Sequence, residues 1–230
     1  MTDSFEYLLK ELGPPYGASP LSPDALRALS GKLPPGLLQF LSEIGASVWL
    51  EGRFQFCDPL KYRSVVKTLL RGDLQFDPER TLVYGYTAFG ELYLWNEEFQ
   101  ALEINLPLLW AVAPVTEPNW EPRDPDIVLA SRLSVLHAPH AGDWNEDSPS
   151  APFMFKRVRK ALGPLSQGEV FAFVPALELA GVARADNVQR TRALEQFAIL
   201  AQLGNPQLFD YSSGRQVPVR VLGAPAESNP

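Results

Sequence analysis

Between Trp49 and Trp95 the chain crowds Trp49, Phe54, Phe56, Tyr84, Tyr86, Phe89, Tyr93 and Trp95 onto short segments punctuated by Gly52, Gly85 and Gly90. That density limits what the chain can fold into. Short runs rich in aromatic and β-branched residues and closed by glycine read as strands, and side chains this large need a common core. Ser47–Leu50, Phe54–Cys57, Thr81–Thr87 and Glu91–Trp95 are the expected strands, and alternation makes Tyr84/Tyr86 and Tyr93/Trp95 like-facing pairs. Ala101–Ile104 and Leu109–Val115 extend the series, and Pro59–Leu70 reads as a helix embedded in it.

Helical patterns precede these strands. Phe5, Leu8, Leu9 and Leu12 recur at helical spacing and stop at Gly13-Pro14-Pro15. Ser22-Pro23-Asp24 has the form of a cap with proline at the first helical position, opening a short helix to Leu29. Leu37, Leu38, Leu41 and Ile44 form one apolar face, with Gly45 as its cap. Helices before strands, rather than alternating with them, indicate an α+β fold with an antiparallel sheet.

Glu117–Asp126 holds three prolines in ten residues and reads as a linker or an ordered surface loop. Ile127–Leu136 resumes as helix or strand, and His137–Pro152 is polar and turn-rich. Phe153–Leu162 is a basic amphipathic helix, Gly168–Val174 a strand, Val188–Leu203 the strongest helix of this half, and Gln207–Tyr211 and Val217–Val221 final strands. The expected organisation is therefore N-terminal helices with an antiparallel sheet over 1–116, an acidic proline-rich connecting region over 117–152, a smaller α+β C-terminal domain over 153–223 and a flexible tail over 224–230.

Charge is unevenly spread. Residues 1–150 carry 21 acids against 11 bases, net −10, and residues 151–230 carry 6 against 9, net +3, which together give −7. Glu91–Asp147 alone has 11 acids and only Arg123 and Arg132 as bases. A field of one sign favours a basic partner and disfavours direct nucleic-acid binding, which calls for basic patches. The longest apolar stretch, Leu106–Val115, is broken by Pro107 and Pro114 and is far short of the ~20 residues of a membrane span. The opening Met1–Glu6 has neither a basic start nor an apolar run, and Cys57 is the single cysteine, so a cytoplasmic protein without disulfides is expected.

Catalytic patterns are thin. No glycine-rich phosphate loop and no G-x-S-x-G occurs. Cys57, flanked by a strand pattern and Asp58-Pro59, fits a buried small hydrophobe better than a reactive thiol. His137-Ala138-Pro139-His140, with Asp143, Glu146 and Asp147 nearby, has metal-ligand types but few fixed ligands, and reads as a solvated loop, with a metal-dependent enzyme as an alternative. Glu97 and Glu98 are adjacent on a strand pattern, point apart and cannot share a proton. Trp120 and Trp144 lie in acidic proline- or asparagine-rich segments, a composition of interface anchors. The partner-binding residues expected are Glu97, Glu98, Trp120, Glu121, Asp124, Asp126, Asp143 and Trp144, with no catalytic residue, cofactor or metal.

Phe5–Pro15 with its Leu-Gly-Pro-Pro, Gly31-Lys32-Leu33-Pro34 leading into Leu37–Leu41, Gly52–Pro59, and Ala88–Trp95 together resemble a GAD-like domain. The second half, through Glu195–Gly204, resembles the domain that follows it in type VI secretion immunity proteins. The resemblance implies a non-enzymatic antitoxin that binds a cognate secreted effector, in several such systems a DNase, and blocks its active site or substrate groove. A nuclease is basic where it holds DNA, so an acidic inhibitor suits it. The leucine-proline helix before aromatic strands also suggests an SMI1/KNR4-like adaptor that binds a regulatory protein or peptide.

Overall fold

The first helices start where local chemistry places them. The Ser22 side chain accepts the Ala25 amide at 3.2 Å and Pro23 opens α2 (Pro23–Leu29), while Pro35 opens α3 (Pro35–Glu43) and Gly45, at φ +75°, lets the chain reverse after it. The computed structural model describes residues 3–138, 141–144 and 153–223. α1 (Asp3–Leu12) and β1 (Tyr16–Ser19) precede these helices, and β2 (Ala46–Trp49), β3 (Phe54–Phe56), α4 (Arg63–Leu69), β4 (Thr81–Thr87), β5 (Glu91–Asn96), β6 (Gln100–Asn105) and β7 (Trp110–Val112) follow. Then come α5 (Pro125–Ser134), α6 (Met154–Leu162), β8 (Glu169–Phe173), β9 (Val188–Arg192), α7 (Ala193–Leu200), β10 (Gln207–Asp210) and β11 (Val217–Val221).

The fold is α+β. One sheet of nine strands runs β1-β2-β3-β4-β5-β6-β7-β10-β11, and β8 and β9 form a small hairpin sheet of their own. Every pairing is antiparallel except β7 with β10, which is parallel, so the large sheet is mixed where the sequence suggested antiparallel. A parallel pair needs a long crossover, and here the chain between Val112 and Gln207 supplies it, carrying α5, α6 and α7.

Helices cover both faces of the sheet. On one face α1, α2, α3 and α5 bury Phe54, Phe56, Tyr84, Tyr93 and Trp95. On the other, α4 and α7 bury Leu92, Leu94, Leu102 and Ile104 against Phe197 and Leu200. The expected pairing of Tyr84 with Tyr86 fails. The β4–β5 register shifts between Val83 and Gly85, so Tyr84 joins the first core while Tyr86 joins the second. A bulge adds one residue and turns the side chains beyond it to the opposite face. Cys57 is buried, and burial pushes its thiol well above its ordinary range, as suits a core residue.

The Val188–Leu203 helix expected from the sequence divides in two. Val188–Arg192 is strand β9, paired in register with β8, and only Ala193–Leu200 is helical. The unpaired edge of β8 accounts for this, because a buried strand edge must find a partner whatever the propensity of its neighbour. The break expected near residue 117 is not a break in the core either. Phe197 and Leu208 pack with Leu92 and Ile104. Gln55 receives the Tyr86 hydroxyl at 3.0 Å and the Gly168 amide at 2.9 Å, and donates to the Glu169 carbonyl at 2.8 Å. β10 and β11 then complete the N-terminal sheet.

Candidate functional site

Strand alternation puts Glu91, Tyr93 and Trp95 of β5 on the face that α5 covers, and the β5–β6 register sets Glu103 opposite Tyr93 and Asn105 opposite Glu91. The same face continues through Trp110 and Val112, opposite Asn105 and Glu103, to Phe209, opposite Val112. α5 roofs the β4–β6 part with Leu129 and Leu133. Beyond α5 the face opens into a groove of about 500 Å³, with Glu91, Glu103 and Asn105 on its floor and Trp110, Phe209, Asp210, Tyr211 and Glu117 around it. Trp110 and Tyr211 are 40% and 44% exposed, and the Trp110 and Phe209 rings meet edge to face at 5.9 Å. Large apolar side chains left open beside acids are unusual on a face that is otherwise packed.

The electrostatics of the groove are set by three side chains. Arg132, from the last turn of α5, donates to both oxygens of Glu103, each at 2.7 Å, a bidentate pair at the boundary between the roofed and open parts. Burial would pull the Arg132 guanidinium down, but its hydrogen bonds and charge contact with Glu103 outweigh this and hold it above its usual range. Glu91 has no such pair. Part of the residue reaches the groove, yet its carboxyl is enclosed enough that burial, reinforced by the Glu103 charge and opposed by Arg132, pushes it up to about 7. Among the described residues no hydrogen bond reaches the Glu91 carboxylate.

A second hollow of about 220 Å³ adjoins the first across Pro114, Glu117 and Arg132 and is lined by Trp120, Arg123 and Ile127. Ile127 is 58% exposed, and Trp120 is half-buried with its ring 6.2 Å from Phe99. The proline-rich segment before it is an ordered loop, tied down where Gln100 donates to the Arg123 carbonyl at 2.6 Å and accepts its amide at 3.2 Å.

The residues singled out from the sequence divide among three places. Trp120 lines the second hollow, and Glu121 and Asp124 are exposed on the same loop, where Asp124 also caps α5 by accepting the Asp126 and Ile127 amides. Glu97 and Glu98 lie on the β5–β6 turn and face Arg80 at 3.6 and 2.7 Å, and that turn meets the loop through Phe99 and Trp120. Asp143 and Trp144 lie elsewhere. The Asp143 carboxylate accepts the Phe155 amide at 2.8 Å at the start of α6, and the Trp144 ring packs on Phe173 at 4.8 Å.

Asp126 is a correction. It is buried, 5% exposed, and accepts the Gly36 amide at 2.9 and 3.2 Å, so it serves the start of α3 and offers nothing to a partner. A Cβ on Gly36 would lie 2.8 Å from its carboxylate, which is why glycine stands there. The His137–His140 pair lies outside the described side chains. Among the described residues no group of three or more His, Cys, Asp and Glu is gathered as a metal site requires, and no helix is long and apolar enough to cross a membrane.

Glu91, Glu103, Trp110, Phe209 and Tyr211 were not singled out from the sequence. A signal was present for one of the two acids. Glu91 shares its strand parity with Tyr93 and Trp95 and so is an acid at an inward-reading position, whereas Glu103, alternating with Leu102 and Ile104, reads as an ordinary outward-facing acid. Nothing local announced the aromatic walls, because β7 and β10 meet only in three dimensions.

Comparison with known proteins places these features. Residues 3–108 match the GAD-like domain and residues 142–204 match the C-terminal domain of the T6SS immunity protein Tdi1. Glu91, Glu103 and Asn105 fall inside the first match, while Trp110, Arg132, Phe209 and Tyr211 fall in segments that neither match covers. No curated protein matches the chain. The crystal structure of Atu4351 from Agrobacterium tumefaciens is similar, at 29% identity and a TM-score of 0.88, with 96% of this chain and 98% of that chain covered. With the two domains in this order on one chain, the protein belongs to the two-domain type VI secretion immunity family.

Proposed function

We propose that this immunity protein neutralises a cognate type VI secretion effector in the cytoplasm by covering the effector's working surface with the acidic groove and the Trp120 loop. The observation that carries the reading is the groove itself, where exposed Trp110 and Tyr211 stand beside Glu91, Glu117 and Asp210 and the one base, Arg132, is already committed to Glu103. Aromatic anchors with complementary charge around them are what a tight protein interface needs. The sign of the charge favours an effector with a basic face, and a nuclease domain has one where it holds DNA. In this reading the inhibitor acts by occlusion and carries out no chemistry, and Glu121 and Asp124 supply rim charges that speed the encounter.

The test is co-expression with the toxin domain encoded beside this chain. Co-purification of a complex and rescue of growth are the expected result. If the toxin remains lethal and no complex forms, the reading fails.

A further inference from the structure

Two carboxylates share the floor of the groove, and only one is answered. Glu103 has both oxygens on Arg132. Glu91 lies on the neighbouring strand, repelled by Glu103, and no donor in the described structure reaches its carboxylate. A carboxylate on a groove floor that no side chain of the fold answers is satisfied only by water or by a ligand, so it is available to a partner. The groove above it is walled by Trp110, Val112 and Phe209 and opens to solvent. Acid at the bottom with aromatic and aliphatic walls above suits a ligand with a long apolar stem and a positive tip.

We infer that the groove receives one lysine or arginine side chain of the effector, its cation on Glu91 and its stem along the wall that Trp110 and Phe209 form together. This rests on the reading that the chain binds a cognate effector and names the contact at its centre. An anion is excluded by Glu91, Glu103, Glu117 and Asp210, and a wholly apolar side chain would leave the Glu91 carboxylate sealed without a donor. Arg132 directs its Nε and Nη2 to Glu103 and makes no hydrogen bond to Glu91, which leaves the Glu91 carboxylate open to a donor from outside the fold.

The inference has a pH signature. The groups around Glu91 are Glu103 on β6, Arg132 on α5 and Tyr93 on its own strand, with Tyr84 of β4 packed beside Tyr93 and with Glu117, Asp210 and Tyr211 at the rim. The tyrosines are pushed above their ordinary value and stay neutral through this range, burial being the first cause for each. A cation that binds the ionised carboxylate must displace its proton below pH 7, so affinity should rise about tenfold from pH 6 to pH 8 and then level.

The experiment measures binding of the full chain to the neighbouring toxin domain at pH 6 and pH 8, for the wild type, Glu91→Gln and Glu91→Lys. Expected are a loss of about tenfold or more for Glu91→Gln at pH 8, removal of the pH dependence seen in the wild type, and a loss above about a hundredfold for Glu91→Lys. Glu91→Gln is nearly isosteric and should melt no lower than the wild type, so it carries the test even if Glu91→Lys fails to fold. Equal binding by wild type and Glu91→Gln at both pH values overturns the inference and leaves the immunity reading standing. A wild type that does not bind the toxin overturns that reading and this inference with it.

Discussion

Under α5 the sheet face carries Tyr84, Tyr93 and Trp95, none more than 4% exposed, whereas past the helix the groove carries Trp110 at 40% and Tyr211 at 44%. The two regions have similar side chains on one continuous sheet and differ in what lies over them. In the roofed part an aromatic ring contributes to folding through burial and contact with its neighbours. In the open part the same chemistry leaves apolar area in water, which favours a surface kept for a partner over one kept for stability. A change in one region that has the effect assigned to the other would erase the difference between them.

The largest stability effect is expected at the boundary. Arg132→Met removes the bidentate partner of Glu103, which is 8% exposed, and should cost about 3–4 kcal/mol in a thermal or urea melt. The double change Glu103→Gln with Arg132→Met should recover much of this, because it leaves no charge stranded. A melt unchanged by Arg132→Met would show that the groove floor behaves as open surface, and the contrast between the two regions would fall.

Glu91, on the open side of that boundary, works against stability at neutral pH. Its carboxyl is raised from 4.5 to about 7 in the folded chain, so the native state holds a proton that the unfolded state releases. Stability from this group is fully present below about pH 4.5 and is lost as pH rises through about 7. Allowing for partial exposure, the loss is about 2–3 kcal/mol. Melts of the wild type and Glu91→Gln across pH 4.5–8 should therefore diverge, with the variant the more stable at pH 8. Parallel curves would mean that the carboxyl is freely hydrated.

Asp126→Ala should come next, at about 2 kcal/mol in urea, because the Gly36 amide is left buried without an acceptor. It should leave toxin binding unchanged once the melt is accounted for, since the side chain reaches no surface.

Asp126 also shows where reading the sequence stops. It stands two residues from Asp124 in a proline-rich acidic run, and composition alone makes both look like surface acids. Only the packing of α3 against α5, ninety positions apart in sequence, separates a cap from a rim charge. Elements specified by neighbouring residues were legible, such as the Ser22 cap, the helix after Pro35 and the alternation of Tyr93 and Trp95. Elements decided by distant pairing were not. The β4 bulge reversed Tyr86, the edge of β8 drew Val188–Arg192 out of a helix, and β10 crossed from the C-terminal half to lie parallel to β7. The groove belongs to this second kind, since its floor comes from β5 and β6 and its far wall from β10. Of its two floor acids only Glu91 stood out in the strand pattern, and its value as a site depends on a wall the pattern does not contain.

Trp110→Ala should have the smallest effect on folding, about 1 kcal/mol, because the ring is 40% exposed and meets Phe209 edge to face at 5.9 Å. On binding the order inverts. A ring that walls the groove beside Glu91 should cost more than ~2 kcal/mol of affinity when truncated, mainly through faster dissociation. Trp95→Ala is its counterpart under the roof, 4% exposed and packed in the first core, and should cost about 3 kcal/mol of stability. Measured side by side, the two tryptophans separate a ring held for the fold from a ring held for a partner. If Trp110→Ala weakens folding as much as Trp95→Ala and leaves toxin affinity unchanged, the open half of the sheet is structural and the interface lies elsewhere, with the Trp120 loop the next surface to test.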